Sequence, residues 1–291
     1  MLASEVPFND IAILGPGLLG ASLALALREK HSVRLWARRA ESVQNAQTRG
    51  LATLCTSDLS EAVVGADLVI FCTPLEVMAG IARSFAPLLG VQTIVTDVGS
   101  VKAPIAMELE SIFGADRYLG SHPMAGSEQS GMDAARGDLF QGASCILTPT
   151  GQTPQSLVER LQHFWQDLGC EIHFLSAEMH DEQVALVSHL PHLLAGCLMN
   201  AVTGKCPESL ALAGMGFRDS TRIASGPPEM WQGILTSNRA SVLSALSHLQ
   251  SQLALAERLL AASDDVGLRN FLATAKTNRD GIVRKVRYGG N

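Results

Sequence analysis

Ile11-Ala-Ile-Leu14-Gly15-Pro-Gly17-Leu18-Leu19-Gly20-Ala-Ser-Leu23 is the stretch on which the reading of this chain turns. Four apolar residues in succession suit a buried strand, and the apolar run that continues to Leu27 suits a helix packed against it. Between them stands the spacing Gly15-x-Gly17-x-x-Gly20. In that context the glycines allow a tight turn, a close backbone approach to a pyrophosphate, and close packing of helix on strand. The phosphate charge would then rest against free amides at a helix N-terminus. Gly15, Gly17, Leu18, Leu19 and Gly20 are therefore the expected cofactor-binding residues, joined by Thr73 at the end of a later strand-like run.

Working outward, the same alternation repeats. Strand-like runs at 32–37, 67–73 and 93–98 are separated by helical patterns, one of them starting at Ala40. Repeated βαβ units imply a parallel sheet, hence an α/β, Rossmann-type doubly wound domain. Further strand-like runs at Tyr118–His122, Ser144–Leu147 and Glu171–Leu175 extend the expected sheet to seven or eight strands. After Leu175 the strand signal stops. Ser176 heads a helical run with Glu178 and Asp181 in its first turns, as helix N-termini favour. The expected division is a dinucleotide-binding domain at 1–175 and an all-α domain at 176–291 for substrate binding and dimerisation. In the second part Leu243, Leu246, Leu249, Leu253, Ala256 and Leu260 recur every three or four residues, and breaks fall at Gly204–Pro207 and Gly226–Pro228.

Composition narrows the function classes. With 47% hydrophobic and 17% charged residues in 291, the chain carries enough apolar material for two cores. A net charge of −6 and a pI near 5.7, with no Lys/Arg cluster, argue against nucleic acid. Met1 to Asp10 lacks a signal peptide's basic start and apolar core. Val184 to Val202 is apolar but interrupted by Ser188, His189, Pro191, His192 and Asn200, so it reads as a core helix rather than a bilayer span. A cytoplasmic protein without a membrane partner is expected. The six cysteines form no C-x-x-C pair or zinc-like cluster, so no metal is expected.

The second strand-like run ends Leu35-Trp36-Ala37-Arg38-Arg39, without the acidic residue that usually binds the ribose hydroxyl of NAD. A guanidinium takes a 2′-phosphate by charge-assisted hydrogen bonds, so Arg38 and Arg39 favour NADP, with NAD as the other choice. A solvated basic turn is the competing reading of the pair.

Three later segments stand out: Thr96-Asp97-Val98-Gly99-Ser100-Val101-Lys102, Gly120-Ser-His122-Pro-Met-Ala-Gly126-Ser-Glu128 and Gly216-Phe-Arg218-Asp219-Ser-Thr221-Arg222. With Ser188-His189-Leu-Pro191-His192 they resemble the prephenate/arogenate dehydrogenase family, in order and over nearly the whole chain. The resemblance implies oxidation and decarboxylation of prephenate or arogenate with hydride transfer to a nicotinamide, in tyrosine biosynthesis. It also implies that His122 is the base, that Ser100 helps to position the hydroxyl and His122, and that Arg222 binds a substrate carboxylate. His189 and Trp231 would line the pocket, Glu128 would lie near its mouth, and a homodimer would form through the helical domain. His122 fits locally, because the end of a strand in an open α/β sheet is where ligands bind and an imidazole can take a hydroxyl proton near neutral pH. A histidine bonded to backbone, a satisfied core His192 and a core Trp231 are the plainer readings of those residues. The competing functions are another two-domain dehydrogenase of the β-hydroxyacid or imino-acid reductase kind, and a non-catalytic nucleotide-binding regulator.

Overall fold

The computed structural model describes residues 8–126, 129 and 131–288, the last six without side-chain detail. Five parallel strands, β1 (Asp10–Leu14), β2 (Ser32–Trp36), β3 (Leu54–Thr56), β4 (Leu68–Phe71) and β5 (Ile94–Asp97), form a sheet in the order β3-β2-β1-β4-β5. Helices α1 (Leu18–Leu27), α2 (Ala40–Thr48), α3 (Leu59–Val63), α4 (Leu75–Phe85) and α5 (Ala103–Phe113) make or follow the crossovers. This is a Rossmann-like arrangement with its switch point between β1 and β4. Alternation along β1 divides the core: Ile11 and Ile13 join Leu35, Ile70 and Trp165 on one side, whereas Ala12 and Leu14 join Val69, Phe71 and Phe113 on the other.

Register places the functional edge. Leu14 lies opposite both Trp36 and Phe71, and Phe71 lies opposite Asp97. Four strand ends thus stand in one row, and the residues after them, 37–39, 15–17, 72–73 and 98–100, emerge side by side.

The expected single sheet of seven or eight strands is instead two among the described residues. Strands β6 (Gly120–Pro123), β7 (Ser144–Thr148) and β8 (Glu171–Phe174) form a separate three-stranded sheet, with β6–β7 antiparallel and β7–β8 parallel. One parallel bridge, Val95 to Tyr118, is all that continues the ladder from β5. Beyond it side chains intervene: the Thr96 hydroxyl donates to Leu119 O at 2.7 Å and the Ser121 hydroxyl to Asp97 O at 2.7 Å. Backbone acceptors that would pair strand to strand are satisfied by hydroxyls.

The remaining helices are α6 (Gln155–Asp167), α7 (Ala177–Val184), α8 (Leu190–Lys205), α9 (Met215–Thr221), α10 (Pro228–Ser237), α11 (Arg239–Ala261) and α12 (Asp265–Tyr288). The Ser176 side chain caps α7 by accepting from Met179 N at 3.2 Å. A π-helical turn, Ala185–His189, joins α7 to α8. Such a turn re-aims the side chains after it and recurs at functional sites. Contacts gather the chain into two compact units, Met1–Arg239 and Ala240–Asn291. The run Ala177–Lys205 is long and apolar enough to cross a membrane by length and composition. It also carries His180, Asp181 and His189, whose side chains are buried and hydrogen-bonded inside the first unit.

Candidate active site

The glycine turn is built for a ligand. Gly15 has φ +112°, a backbone conformation that L side chains rarely adopt, and a Cβ there would stand 2.8 Å from Cys72 O. A Cβ on Gly20 would fall 1.9 Å from Gly15 O, so helix and strand can approach this closely only without one. Gly17, by contrast, is exposed with nothing within 4 Å of a Cβ. Its open side meets no atom of the described residues within that distance, the condition for a phosphate to come close. Gly17 is the N-cap of α1 and offers no side-chain cap. The first amides of the helix, at Leu18 and Leu19, are thus left to a ligand. Both leucine side chains pack back on the core. Thr73 completes the cradle: its Oγ1 is buried without a partner among the described residues, and its methyl lies 3.2 Å from the Gly15 Cβ position. An orphaned hydroxyl beside a cradle that side chains would fill fits a bound dinucleotide. Arg38 and Arg39 follow the end of β2 and are exposed, Arg39 as the N-cap of α2.

At the other end of the row, Asp97 organises the β5–α5 loop. Its carboxylate accepts from Gly99 N at 2.7 Å and from the Tyr118 hydroxyl at 2.7 Å, and it pairs with the Lys102 ammonium; Lys102 and Asp97 are both fully buried. A buried cation is tolerated here because it is paired and bonded. Ser100 lies half-buried on this loop and makes no hydrogen bond to His122 among the described residues.

His122, on β6, is 7% exposed. Its Nδ1 lies 2.7 Å from His180 Nε2, and His180 Nδ1 lies 2.7 Å from Asp181 Oδ1. Asp181 in turn accepts from Lys102 N at 2.7 Å and Ala103 N at 2.9 Å, so it caps α5 from a helix 78 residues further along the chain. Asn238 Nδ2 donates to Asp181 O at 2.7 Å and reaches His189 Nδ1 at 3.2 Å. One hydrogen-bonded chain therefore joins His122, His180, Asp181, Asn238 and His189. Burial, the adjoining His180, the Lys102 ammonium and His189 hold the His122 imidazole well below its usual pKa. Burial lowers His180 too, opposed by its bond to Asp181. Burial brings His189 down to about 4.

His189 Nε2 is buried without a partner among the described residues, and the ring meets Trp231 edge-on at 6.4 Å. Trp231 stacks flat on His192, with centroids 3.5 Å apart and planes 10° apart. Gly226 sits against both rings; a Cβ there would lie 2.5 Å from the indole nitrogen. Arg222 begins the 3-10 turn Arg222–Ser225, which packs on α8 and leaves the side chain exposed. Arg218 instead donates to Ala213 O at 3.2 Å. Glu128 lies outside the described residues.

The structure thus brings His122 and His189 into one network and sets Trp231 beside His189. Sequence reasoning missed four members: Lys102, His180, Asp181 as a network residue, and Asn238. The one local hint was a His-Asp pair at the head of an apolar helical run.

Residues 23–174 match the family described as prephenate dehydrogenase, nucleotide-binding domain, and residues 176–274 that described as prephenate dehydrogenase, dimerization domain. The chain is 35% identical over 277 residues to the cyclohexadienyl dehydrogenase of Zymomonas mobilis, covering 92% of this chain and 94% of that one. Among solved structures, Aquifex aeolicus prephenate dehydrogenase in complex with hydroxyphenyl propionate and NAD+ superposes with TM-score 0.89 at 30% identity, covering 96% of this chain and 100% of that one. Synechocystis arogenate dehydrogenase gives TM-score 0.82 at 31% identity over 94% and 99% of the two chains. By fold, by glycine cradle and by these matches across both halves, the chain belongs to the prephenate dehydrogenase family.

Proposed function

We propose that this protein oxidises and decarboxylates prephenate or arogenate, giving 4-hydroxyphenylpyruvate or tyrosine, with NADP as the favoured cofactor. The observation that carries this reading is His122, buried on β6 one residue before the strand ends, with Nδ1 engaged by His180, which leaves Nε2 as its reacting nitrogen. A nicotinamide, when bound, supplies the hydride acceptor. The residues of the chain do the rest. His122 Nε2 takes the proton of the ring hydroxyl as the carbon beneath it loses hydride, an imidazole held neutral being ready for that role. The ring carbonyl so formed draws in the electron pair of the bond to the departing carboxylate. Carbon dioxide leaves, the ring becomes aromatic, and the phenolic oxygen recovers the proton from His122.

Arg222 suits a substrate carboxylate because its planar fork fixes two oxygens at once. Ser100 is placed in this reading to orient the hydroxyl, with His189, Trp231 and Glu128 around the substrate. Gly15, Gly17, Leu18, Leu19, Gly20 and Thr73 hold the pyrophosphate side, and Arg38 and Arg39 the 2′-phosphate. Residues 1–175 are the nucleotide-binding part and 176–291 the part for substrate and dimerisation. A homodimer is supported by apolar side chains left exposed in a single chain: Leu186, Val187, Leu194 and Leu198, and separately Leu243, Leu253 and Leu260 on α11.

The test is a four-way assay of purified protein, prephenate or arogenate with NAD or NADP, followed by reduced-cofactor absorbance. Turnover of either substrate, higher with NADP, is the expected result. No turnover in any combination, with cofactor still bound, would overturn the reading in favour of a different dehydrogenase or a regulator.

A further inference from the structure

Proton positions on the two site histidines follow from the partners that face them. Asp181 Oδ1 is a carboxylate oxygen, already accepting from Lys102 N, and can only accept. The hydrogen in its bond to His180 Nδ1 therefore belongs to the histidine. A neutral His180 carries one ring hydrogen, so its Nε2 holds a lone pair. The hydrogen in the next bond, between His180 Nε2 and His122 Nδ1, must then come from His122. His122 Nε2 is left bare.

The second branch runs from the backbone of the same residue. Asp181 O is an obligate acceptor, so the group of Asn238 facing it at 2.7 Å is the amide nitrogen. That NH2 has a second hydrogen, directed at His189 Nδ1, which must accept it. The hydrogen of a neutral His189 then sits on Nε2, the buried nitrogen without a partner among the described residues. Burial holds His189 neutral, with a pKa of about 4.

We propose that Asp181 sets the proton positions of both histidines in opposite senses: through His180 it presents His122 Nε2 as a bare acceptor, and through Asn238 it presents His189 Nε2–H as a donor to a substrate oxygen. His180, Asp181 and Asn238 are positioning residues acting through the two histidines. This rests on the proposed reaction, in which the base must begin without a proton on its reacting nitrogen. When His122 takes the hydroxyl proton it becomes an imidazolium, and the chain to the Asp181 carboxylate stabilises that charge. The ionisable groups around it are His180 and Asp181 on α7, Lys102 at the head of α5, Asp97 and Tyr118 beside Lys102, and His189.

The direct test is ring nitrogen-15 NMR of histidine-labelled protein near neutral pH, with signals assigned by single His→Gln variants. A pyridine-type Nε2 and pyrrole-type Nδ1 are expected for His122, and the reverse pair for His189. The opposite pattern at either residue overturns the proposal, whether or not the protein turns over prephenate or arogenate. The absence of turnover would refute the reaction while leaving the ring nitrogens to decide this point. Kinetics supply the second arm. His180→Gln keeps an amide acceptor for His122 Nδ1–H, whereas His180→Phe removes it. The Phe variant should lose roughly a hundredfold in kcat with substrate KM unchanged. It should also move the acid limb of kcat/KM, and Gln should restore most of both. Asn238→Ala should raise KM and leave that limb in place. Equal losses in the Gln and Phe variants with an unmoved pH profile would make His180 merely structural and overturn the proposal.

Discussion

The glycine turn after β1 and the histidine network around Asp181 are built in opposite ways. The turn uses backbone, lies within residues 15–20, and contains no titratable side chain. The network uses five side chains, all buried and ionisable or amide, drawn from β6, α7, the π-helical turn and the end of α10. A backbone site is insensitive to pH and intolerant of added volume. A side-chain site tolerates substitution sterically and is sensitive to every proton. The difference can be broken at either end.

The largest effect is expected at His122. His122→Asn removes the proposed base and should lower kcat on the order of a hundred- to ten-thousand-fold. Binding of the reduced cofactor, followed by fluorescence, should be unchanged, because no glycine-turn atom is touched. Turnover within a few-fold of the parent would show that another group takes the proton.

Next come two glycines whose difference sharpens the backbone half. Gly20→Ala puts a Cβ 1.9 Å from Gly15 O and should destabilise the fold by more than about 3 kcal/mol in denaturant titrations. Gly17→Ala enters open space with φ −70° and ψ −170°, which any residue adopts, so stability should stay within about 0.5 kcal/mol. It should still weaken cofactor binding, since the methyl occupies the phosphate approach. If both variants lose stability alike, Gly17 is kept for packing, and the cradle is narrower than described.

The same contrast explains what was legible in the sequence. Strand β1, the turn and α1 are consecutive, so a few residues carry their own context, and the spacing of Gly15, Gly17 and Gly20 was enough. Asp181 reads locally as an acid in the first turns of a helix, and it is one. Its larger role depends on Lys102 N, 79 residues away, and on His180 meeting His122 across 58 residues, and no local period reports a contact at that separation. The break between the two sheets was hidden for a related reason. Thr96 and Ser121 look like ordinary strand residues, and only tertiary structure shows their hydroxyls bonding where a ladder would run. The Arg222 carboxylate role and the Glu128 position came from resemblance rather than from any residue pattern, and they stand as proposals.

Protonation should separate the two regions next. His122, His180 and His189 are all held below the ordinary imidazole pKa in the fold. Above about 6.5 both folded and unfolded forms are neutral and nothing is lost. Below it the unfolded chain takes up protons that the folded one refuses, so stability falls as pH falls. For His189 the window runs from about 6.5 down to about 4, and each such imidazole contributes a slope approaching about 1.4 kcal/mol per pH unit. Denaturant titrations between pH 7 and 5 should show that loss, and His189→Gln should make it shallower by one proton. An unchanged slope in the variant would mean that His189 protonates as easily in the fold as outside it.

The smallest effect is expected at the far end of the strand row, where the backbone cradle gives way to side chains. Arg38 and Arg39 are exposed and follow Trp36, so a 2′-phosphate there would face two guanidinium groups and the amides that begin α2. Glu41 in the first turn of that helix opposes the same charge. Because the attraction is shared and lies in water, removing one arginine should cost about tenfold in NADP affinity, less than a buried charge-assisted bond would. Arg38→Ala should leave NAD affinity in place, and the NADP preference of the parent should shrink as salt is raised. If the ratio of the two affinities is the same in the variant and the parent, the arginines form only a solvated basic turn, and the cofactor information in this half of the molecule ends at Gly20.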